Sequence, residues 1–377
     1  MRILHVIDSL DIGGAERMLV EIANGAAADG LDVSVCVTRS VSTLAGNLHP
    51  AIEFSTLNRH HRVDIPSIRR LAADIDQRGI DVCHAHGRTT FSLMAAARTL
   101  RLTHIPVVFH DHVSVDIDPA VPRWFAWWGR HHVAEYVGVY AALANWAASA
   151  GIPRERIHII ENALDLSRFE IASAPRETTL RQRFGIPDEL LLGVVVGGIR
   201  PEKGIDVLLK ALAQTRHRQL CKIVLIGGER DASYAAGCRR LCSFLGLDQN
   251  VIFAGQCTDA AALLSQVDFA LLPSRCESGP LVLIEYMAAG IPFVATRVGS
   301  VGGRLASLGA PGLVGEGDVY GLALAIDDLL QLTPQQRRER GKLGRETARR
   351  YFDIRQAMPQ WYAVYDTALQ CKHGRQR

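Results

Sequence analysis

The chain has 377 residues, 48% of them hydrophobic, which is enough for two packed domains, since single domains usually hold ~100–200 residues. Its net charge of +3 is too small by itself to indicate nucleic acid or a membrane surface as the partner. No apolar run approaches the ~18–20 residues that cross a bilayer, and the eight cysteines form no CxxC pair, which argues against a zinc site of that type or a disulfide framework.

The first strand is predicted at the N-terminus, in the segment RILHVI. This segment does not read as a signal peptide, because Asp8 and Asp11 interrupt it and no small-residue cleavage site follows. Buried cysteines without partners are the expected state in a reducing compartment, so the sequence predicts a cytoplasmic protein.

Two glycines, Gly13 and Gly14, lie at the turn between this strand and a predicted helix. Glycines at such a turn let a ligand approach the backbone closely. Their order does not supply the G-x-G-x-x-G fingerprint of dinucleotide-binding proteins. From these residues alone, a turn with a purely structural role is an equal alternative.

The rest of the first half alternates strands, DVSVCVT, DVCHAH and IPVVFHDH, with helical segments, which predicts a parallel sheet covered on both faces. The last two strands carry the pairs His84/His86 and His110/His112, and each pair points to one face of an extended chain. A four-histidine metal site is one interpretation. Neither acidic ligands nor second-shell partners can be read from the sequence, so it favours structural or capping histidines.

The segment PRWFAWWGRHHV, residues 122–133, concentrates three tryptophans with arginine and histidine. One interpretation is an amphipathic stretch that touches a membrane or a lipid-linked acceptor, since Trp and Arg favour that interface. The other, which the sequence favours, is a partly buried helix with a basic outer edge.

A polar stretch without periodicity, residues 170–179, predicts a linker between two domains. We therefore expect an N-terminal domain over 1–170, a second domain over 180–355 and a C-terminal helix over 356–377.

The second half opens with the strand LLGVVVGG, followed by a turn in which Lys203 precedes Gly204 and a helix. A cation at such a turn could neutralise a diphosphate that leaves, although a solvated surface lysine is the ordinary alternative. Two more strands, KIVLIGG and NVIFAGQ, end near Gly228 and Gln256.

The most informative stretch is LLPSRCESGPLVLIEYMAAGIPFVAT, residues 271–296. It predicts a buried strand, a tight turn, a helix that begins near Pro280 and ends at Gly290, and a further strand. The turn at the helix N-terminus favours phosphate. Glu277 and Glu285 flank it and are suited to accept hydrogen bonds from sugar or ribose hydroxyls, although two ordinary solvated glutamates would give the same spacing.

This stretch resembles the donor-site signature P-S-x-x-E-x-x-x-x-x-x-x-E-A-M-A-x-G-x-P-V-V-A-T of the family 4 retaining glycosyltransferases, and departs from it at Tyr286, where Ala is usual. The resemblance implies that Glu277 contacts the transferred sugar and Glu285 the ribose. It also implies that the loop through Ser278 and Pro280, with the amides of Gly279 to Leu281, holds the diphosphate.

Other segments extend the resemblance over most of the chain. It implies that Gly13 and Gly14 lie under the donor diphosphate and that His110 lies beside the sugar. It also implies that the strand ends at Gly228 and Gln256 line the pocket for the nucleobase. In the family motif G-R-x-x-P-E-K-G, Gly198 stands here in place of Arg, and we expect Arg200 to take over that role beside Lys203. A further departure is Gly303, where Glu is usual.

The resemblance implies the GT-B architecture: two Rossmann-like α/β domains that face each other across a cleft, with the C-terminal helix crossing back to the first. The expected function is transfer of a sugar from a nucleoside-diphosphate sugar to a hydroxyl of a saccharide or lipid-linked acceptor in cell-surface polysaccharide or glycolipid synthesis. We expect no metal, no further cofactor and no nucleic-acid partner, and contact with the inner membrane surface is one prediction. Alternatives are a sugar-nucleotide epimerase, a phosphorylase, or a non-catalytic nucleotide-sugar binding protein.

Overall fold

The computed structural model of the protein describes residues 1–40, 43–61, 64–113, 120, 123–171, 179–256 and 260–374. The chain divides into two compact units: Met1–Ala163 together with Ile354–Arg377, and Leu164–Asp353. This division falls a few residues before the boundaries expected at 170 and 355, because Leu164 donates a backbone hydrogen bond to Phe352 and so joins the second unit. Most of the predicted linker, 172–178, lies outside the described residues.

The strands belong to two sheets, one in each unit. The strands are β1 Arg2–Ser9, β2 Asp32–Ser40, β3 Glu53–Thr56, β4 Val82–His86, β5 Val107–Asp111, β6 Val133–Gly138, β7 Ile157–Ile159, β8 Leu191–Val196, β9 Cys221–Ile226, β10 Val251–Gly255, β11 Phe269–Leu272, β12 Phe293–Thr296 and β13 Leu313–Val314.

Helices connect most of these strands and cover the sheets. They are α1 Gly14–Ala28, α2 Ile65–Arg78, α3 Arg88–Thr99, α4 Arg123–His132, α5 Ala141–Ser149, α6 Ser167–Ile171, α7 Leu180–Phe184, α8 Ile205–Gln214, α9 Ala232–Phe244, α10 Ala260–Leu264, α11 Leu281–Ala289, α12 Gly299–Ser307, α13 Val319–Gln331, α14 Pro334–Tyr351 and α15 Ile354–Gly374. Among the described helices, none combines the length and the apolar composition that a membrane crossing needs.

The first unit contains a seven-stranded sheet in the order β3-β2-β1-β4-β5-β6-β7, with every pair parallel. One face carries an apolar core in which Phe91 and Phe109 stack and Phe125 packs edge-on against both, with ring centroids 4.6–5.8 Å apart. The opposite face lies against α15, which contacts β4, β5 and β6, and against α1. Because side chains alternate along a strand, neighbouring residues serve different faces.

The second unit contains a six-stranded parallel sheet in the order β10-β9-β8-β11-β12-β13. Counted from its own first strand, each sheet therefore begins with the arrangement 3-2-1-4-5-6, which is the Rossmann order. The prediction of two Rossmann-like units is confirmed. The sequence does not predict β3 or β13, because β3 is a partly exposed edge strand and β13 has only two residues.

In each sheet the strand order reverses between the first and fourth strands, that is, between β1 and β4 and between β8 and β11. This place is the switch point of the sheet. Connections leave these two strands in opposite directions, so a crevice forms beyond their carboxyl ends. In open α/β sheets this is the position where ligands bind. The turn with Lys203 follows β8, and the loop with Glu277 follows β11.

Candidate active site

The two segments that follow β8 and β11 are in direct contact through their backbones. Gly204, which closes the short 3₁₀ turn Pro201–Lys203, has φ +62° and faces the carbonyl oxygen of Pro273. A Cβ at this position would collide with that oxygen. Glycine is therefore required both by the left-handed backbone and by the close approach.

Lys203 and Glu277 form an ion pair at this junction, with Nζ 2.5 Å from Oε1. The hydroxyl of Ser274 donates to the same oxygen at 2.8 Å. The side chains of Lys203 and Glu277 are 16% and 12% exposed. The structure therefore brings together the cation and the acid that the sequence places 74 positions apart.

Arg275 ties the Glu277 loop to the Lys203 turn. Its guanidinium makes two hydrogen bonds to the Asp206 carboxylate, of 2.6 and 2.7 Å, and a third to the carbonyl of Pro201. Its backbone N–H donates to the carbonyl of Glu202 at 2.8 Å. Such a paired fork fixes direction as well as distance, so the loop is held in one place relative to the turn.

Asp206, in the first turn of α8, also accepts a hydrogen bond of 2.7 Å from the hydroxyl of Tyr234. Burial raises the pKa of Asp206, but the hydrogen bonds from Arg275 and Tyr234 outweigh it and lower this pKa to about 2. The sequence does not reveal the roles of Arg275 and Asp206, because no motif or spacing marks either residue as different from an ordinary charged surface residue.

The helix that follows, α11, begins and ends as predicted. Pro280 is its N-cap residue, and Gly290 closes it with φ +72°. Glu285 lies on this helix and is only 4% exposed. The preceding loop is anchored because Ser300 donates its backbone N–H to the carbonyl of Ser278 at 2.8 Å. The first turn of α11 and the Glu277 loop thus form one packed structure.

Tyr286 explains the departure from the family motif. Its ring is fully buried, and its hydroxyl accepts a hydrogen bond of 2.9 Å from the N–H of Val196 and lies 3.4 Å from the carbonyl oxygen of Leu271. Burial raises the pKa of this hydroxyl. The β8–β11 ladder has only two registered pairs. Tyr286 therefore satisfies backbone groups at the point where the two strands separate.

The other departures are also accounted for by their surroundings. A Cβ on Gly198 would lie 2.7 Å from Cγ of Arg230, so the side chain of Arg230 occupies the space beside Gly198. The sequence does not single out Arg230. Arg200 is 46% exposed and lies 3.7 Å from Glu202. Gly303 lies in α12 with open space around it.

The expected base-pocket residues, Gly228 and Gln256, follow β9 and β10 and lie side by side. A Cβ on Gly228 would be 3.4 Å from Oε1 of Gln256. In the first unit, Gly13 is the N-cap of α1, Gly14 is its first residue, and the Glu16 carboxylate lies over Gly13. Their contact with a donor stays a prediction.

His110 is fully buried and lies in a cluster of rings. His110 and His112 have ring centroids 3.8 Å apart, and Trp361 of α15 lies 4.8 Å from His110. Of the two histidines of this pair, His112 is the partly exposed one. The predicted sharing of a face by each histidine pair is observed, while a sugar contact of His110 stays a prediction.

The cluster contains a fifth histidine, His5 of β1, which lies opposite His84 in the sheet register. Burial lowers the pKa of His5 to about 3. It lowers the pKa of His84, His86 and His110 well below 6.5. All four imidazoles are thus neutral at pH 7. In the strand RILHVI, side chains alternate between the two faces of the sheet, and this alternation was the sequence signal that could have placed His5 on the same face as the other histidines.

Next to this cluster, Asp111 is fully buried and paired with Arg88, whose Nε lies 3.1 Å from Oδ2. Burial raises the pKa of Asp111, and Arg88 opposes that rise. The guanidinium of Arg88 also stacks on Trp146, 4.0 Å from the ring centroid. This pair is part of the packing of β5 against α3 and α5.

The aromatic segment forms helix α4. Trp127 is 50% exposed and stacks with His131, whereas Trp128 packs against the apolar core. Pro122 and the side chains of Arg123 and Trp124 lie outside the described part of the chain. The helix is observed, and contact with a membrane stays a prediction.

Two family descriptions match most of the chain. "Glycosyltransferase Family 4" matches residues 12–168, and "Glycosyl transferases group 1" matches residues 192–332. The chain belongs to the family 4 glycosyltransferases. The resemblance inferred from residues 271–296 is thereby confirmed, and a glycosyltransferase activity follows from it.

Among relatives of this glycosyltransferase, the N-acetyl-alpha-D-glucosaminyl L-malate synthase of Bacillus anthracis is 25% identical over 97% of both chains. A D-inositol 3-phosphate glycosyltransferase of Salinispora arenicola is 32% identical over 39% of this chain and 35% of its own.

Solved structures show the same fold. HepE of Anabaena, in complex with UDP-glucose, gives a TM-score of 0.79 at 21% identity and covers 97% of this chain and 99% of its own. The sucrose-phosphate synthase of Thermosynechococcus elongatus gives 0.77 at 20% identity, over 98% and 100%. The predicted fold of two Rossmann-like domains is confirmed by these likenesses.

Proposed function

We propose that this glycosyltransferase is a retaining enzyme that transfers a hexose from a nucleoside-diphosphate sugar to a hydroxyl of a saccharide or lipid-linked acceptor. Such a reaction serves the synthesis of cell-surface polysaccharide or glycolipid. The proposal rests on one observation, the Lys203–Glu277 pair at the switch point between β8 and β11, beside the N-terminus of α11.

Charge is the first reason to place a diphosphate there. The N-terminus of a helix carries partial positive charge on its free N–H groups. Lys203 adds a full positive charge on a turn that its contact with Pro273 holds rigid. A diphosphate that departs gains negative charge in the transition state, and fixed donors directed at that charge lower the barrier.

The carboxylates suit the sugar rather than the phosphate. Among the described residues, both donors to Glu277, from Lys203 and Ser274, reach Oε1, which leaves Oε2 to accept from a sugar hydroxyl. Glu285, buried on α11, is the candidate for the ribose. The pairing of Glu277 with Lys203 also offsets the repulsion between this carboxylate and a neighbouring anion.

The loop geometry supplies orientation. Arg275 and Asp206 fix the Glu277 loop to the Lys203 turn, so the cation and the acid hold one separation. Fixed placement of reacting groups is itself worth several orders of magnitude in rate. In this scheme, Arg200 and Arg230 add positive charge near the phosphates, Gly228 and Gln256 line the base pocket, and His110 orients the sugar.

The structures of HepE with UDP and UDP-glucose support a nucleotide-sugar donor and make uridine the first base to test. On the acceptor side, we place the exposed Trp127 at the inner surface of the cytoplasmic membrane. Cosedimentation with anionic lipid vesicles tests that contact. If the unaltered protein stays in the supernatant, the membrane part of the proposal is wrong.

A thermal-shift panel of UDP-, GDP- and ADP-sugars tests the donor. A ligand at ~100 times its dissociation constant adds about 2.7 kcal/mol of stability to the protein that binds it. We expect one nucleotide class to raise the melting temperature and Glu285→Ala to abolish the shift. Lys342→Gln is the matched control, because it removes a charge from an exposed helix position of the same unit. No shift with any nucleotide sugar would contradict the proposal.

Product analysis separates the alternatives. The donor that stabilises the protein is incubated with a saccharide acceptor panel, and the new glycoside is examined for its anomeric configuration. An α-linked product from an α-donor supports retention, and a β-linked product contradicts it. Conversion of the sugar nucleotide without a new glycoside indicates an epimerase, and binding without any conversion indicates a non-catalytic protein.

A further inference from the structure

Five histidines lie together on the face of the first sheet that α15 covers: His5, His84, His86, His110 and His112. Neighbouring rings have centroids between 3.8 and 5.5 Å apart. They come from the first, fourth and fifth strands and the residue after β5, so they span the switch point of this unit.

Several of their nitrogens have no protein partner. Among the described residues, Nε2 of His5, Nε2 of His84 and both ring nitrogens of His110 are buried without a hydrogen bond. A buried polar atom without a partner is costly, and native structures keep few of them. Of these four nitrogens, Nε2 of His84 belongs to a ring that packs against both His5 and His86, so a ligand shared by these three side chains would satisfy it.

We propose that His5, His84 and His86 bind one divalent transition-metal ion, with Zn²⁺ as the reference ion. All three side chains are fully or almost fully buried, and one nitrogen from each lies within 4.8 Å of the others. Nδ1 of His5 and Nε2 of His86 are 3.0 Å apart. Two nitrogens bound to one tetrahedral zinc at ~2.0–2.1 Å are about 3.3 Å apart, so this separation needs only a small adjustment.

The surroundings supply the second layer of contacts that metal-binding histidines need. Nδ1 of His84 lies 2.8 Å from the hydroxyl of Tyr365 on α15. Nδ1 of His86 lies 3.2 Å from Nε2 of His112. Hydrogen bonds of this kind fix the ring and its tautomer so that the other nitrogen faces the metal. The nitrogen left on His86 is Nε2, which lies 3.0 Å from Nδ1 of His5. The nitrogen left on His84 is Nε2, which has no hydrogen-bond partner among the described residues.

The ligand type selects the metal class. Imidazole nitrogens suit Zn²⁺, Co²⁺, Ni²⁺ and Cu²⁺, whereas Mg²⁺ and Ca²⁺ prefer oxygen. No carboxylate belongs to either of the two described metal-compatible groups, His5–His84–His86 and His86–His110–His112. None of the three proposed ligands is a charged residue of the proposed donor site, and those charged residues belong to the other unit. His86 does lie beside His110, the residue proposed to orient the sugar, with ring centroids 5.4 Å apart. Its ion would join β1 to β4 and hold the Tyr365 side of α15 in place.

The test uses the full-length chain without an affinity tag, stripped with a chelator and then titrated with Zn²⁺ by calorimetry. We expect one ion per chain at a saturable site, and Co²⁺ to give the visible absorption of a tetrahedral nitrogen site. His84→Gln removes a ligand and should raise the dissociation constant for Zn²⁺ by more than about 100-fold, the upper end of what loss of an outer contact costs. Tyr365→Phe, a milder change, should raise it about 10–100-fold through loss of the contact to His84.

His104→Gln is the matched control, since His104 is an exposed histidine of the same unit, and it should leave the affinity unchanged. If His84→Gln does not fold, Tyr365→Phe decides. The proposal is overturned if the stripped protein binds no Zn²⁺ or Co²⁺ at a one-to-one site, or if Tyr365→Phe binds as tightly as the unaltered chain. In that case the histidines form a network of hydrogen-bonded imidazoles or hold buried water.

Discussion

The two switch points of this glycosyltransferase share a strand order but carry opposite chemistry. Between β1 and β4 the side chains are neutral imidazoles, buried under α15. Beyond β8 and β11 they are a lysine and a glutamate in partly exposed turns. In the first case the residues lie within strands, and in the second they lie after the strand ends. The strand order therefore sets where a site can form. Whether its side chains are buried or accessible to a substrate depends on whether they lie within the strands or after the strand ends.

The same contrast holds for the ion pairs of the two units. Arg88 and Asp111 belong to the packed interior of the first unit, and Asp111 is completely buried. Lys203 and Glu277 keep some exposure. We expect the first pair to control folding and the second to control turnover, and the predictions below test that division, starting with the largest effect.

Arg88→Met should destabilise the first unit by about 3–5 kcal/mol, because it leaves the buried carboxylate of Asp111 without its cation while it keeps an apolar side chain of similar length. Urea denaturation followed by tryptophan fluorescence measures the loss. The double variant Arg88→Met/Asp111→Asn should recover part of it. A loss below about 1 kcal/mol would mean that Asp111 finds another partner and that this pair resembles a surface pair.

Lys203→Met should lower kcat by about 10²–10³-fold, the usual cost of removing one donor to a charge that develops in the transition state. Steady-state kinetics with the donor identified by thermal shift measures it. Lys342→Gln, in the same unit, should keep the kcat of the unaltered enzyme. If Lys203→Met changes only KM, the lysine binds the ground state and transition state equally, and its role is binding.

Asp206 should make the second unit more sensitive to acid. Its pKa is lowered to about 2 in the folded chain, from 3.8. The unfolded chain therefore binds more protons as the pH falls below 4, and stability is lost between pH 4 and 2, by about 2 kcal/mol in total. Thermal denaturation at closely spaced pH values measures it. Asp206→Asn should be less stable at pH 5 and should not lose stability in this way between pH 4 and 2. If stability falls equally steeply with pH in both proteins, a group other than Asp206 is responsible.

Gly303→Ala should have the smallest effect and the opposite sign, a gain of about 0.5–1 kcal/mol, because glycine in an exposed helix costs that much relative to alanine. Gly303→Glu restores the residue usual in the family at a position with open space. Differential scanning calorimetry and donor titration are run on both variants. A change in donor affinity with Glu but not with Ala would show that the missing carboxylate matters for the donor.

Much of the second unit is predictable from the sequence because its signals are local. Pro280 and Gly290 set the ends of α11, and both act through the backbone of the residue itself. The Lys203–Glu277 contact is predictable for a related reason: parallel strands of alternating α/β segments end at one edge of the sheet, so turns that follow the first and fourth strands must meet.

The contacts that were not predicted depend on residues that are distant in sequence and carry no pattern. Arg275 reaches Asp206 across 69 positions, and Tyr286 reaches Val196 across 90. His5 joins His84 only because β1 and β4 are adjacent in the sheet. In the sequence, Gly198 indicates that the arginine of the family motif is missing. In the structure, the small size of Gly198 leaves room for the side chain of Arg230.

Gly204 has a consequence for redesign. The spacing between the two loops of the donor site is set by the main-chain contact of Gly204 with Pro273. The side chains of Lys203 and Glu277 can therefore be exchanged without moving the backbone of either loop. Lys203→Arg would then test the effect of side-chain length and shape at constant charge, and Glu277→Gln would test the effect of charge at nearly constant size. Altered donor preference can be sought in those side chains while position 204 is left untouched.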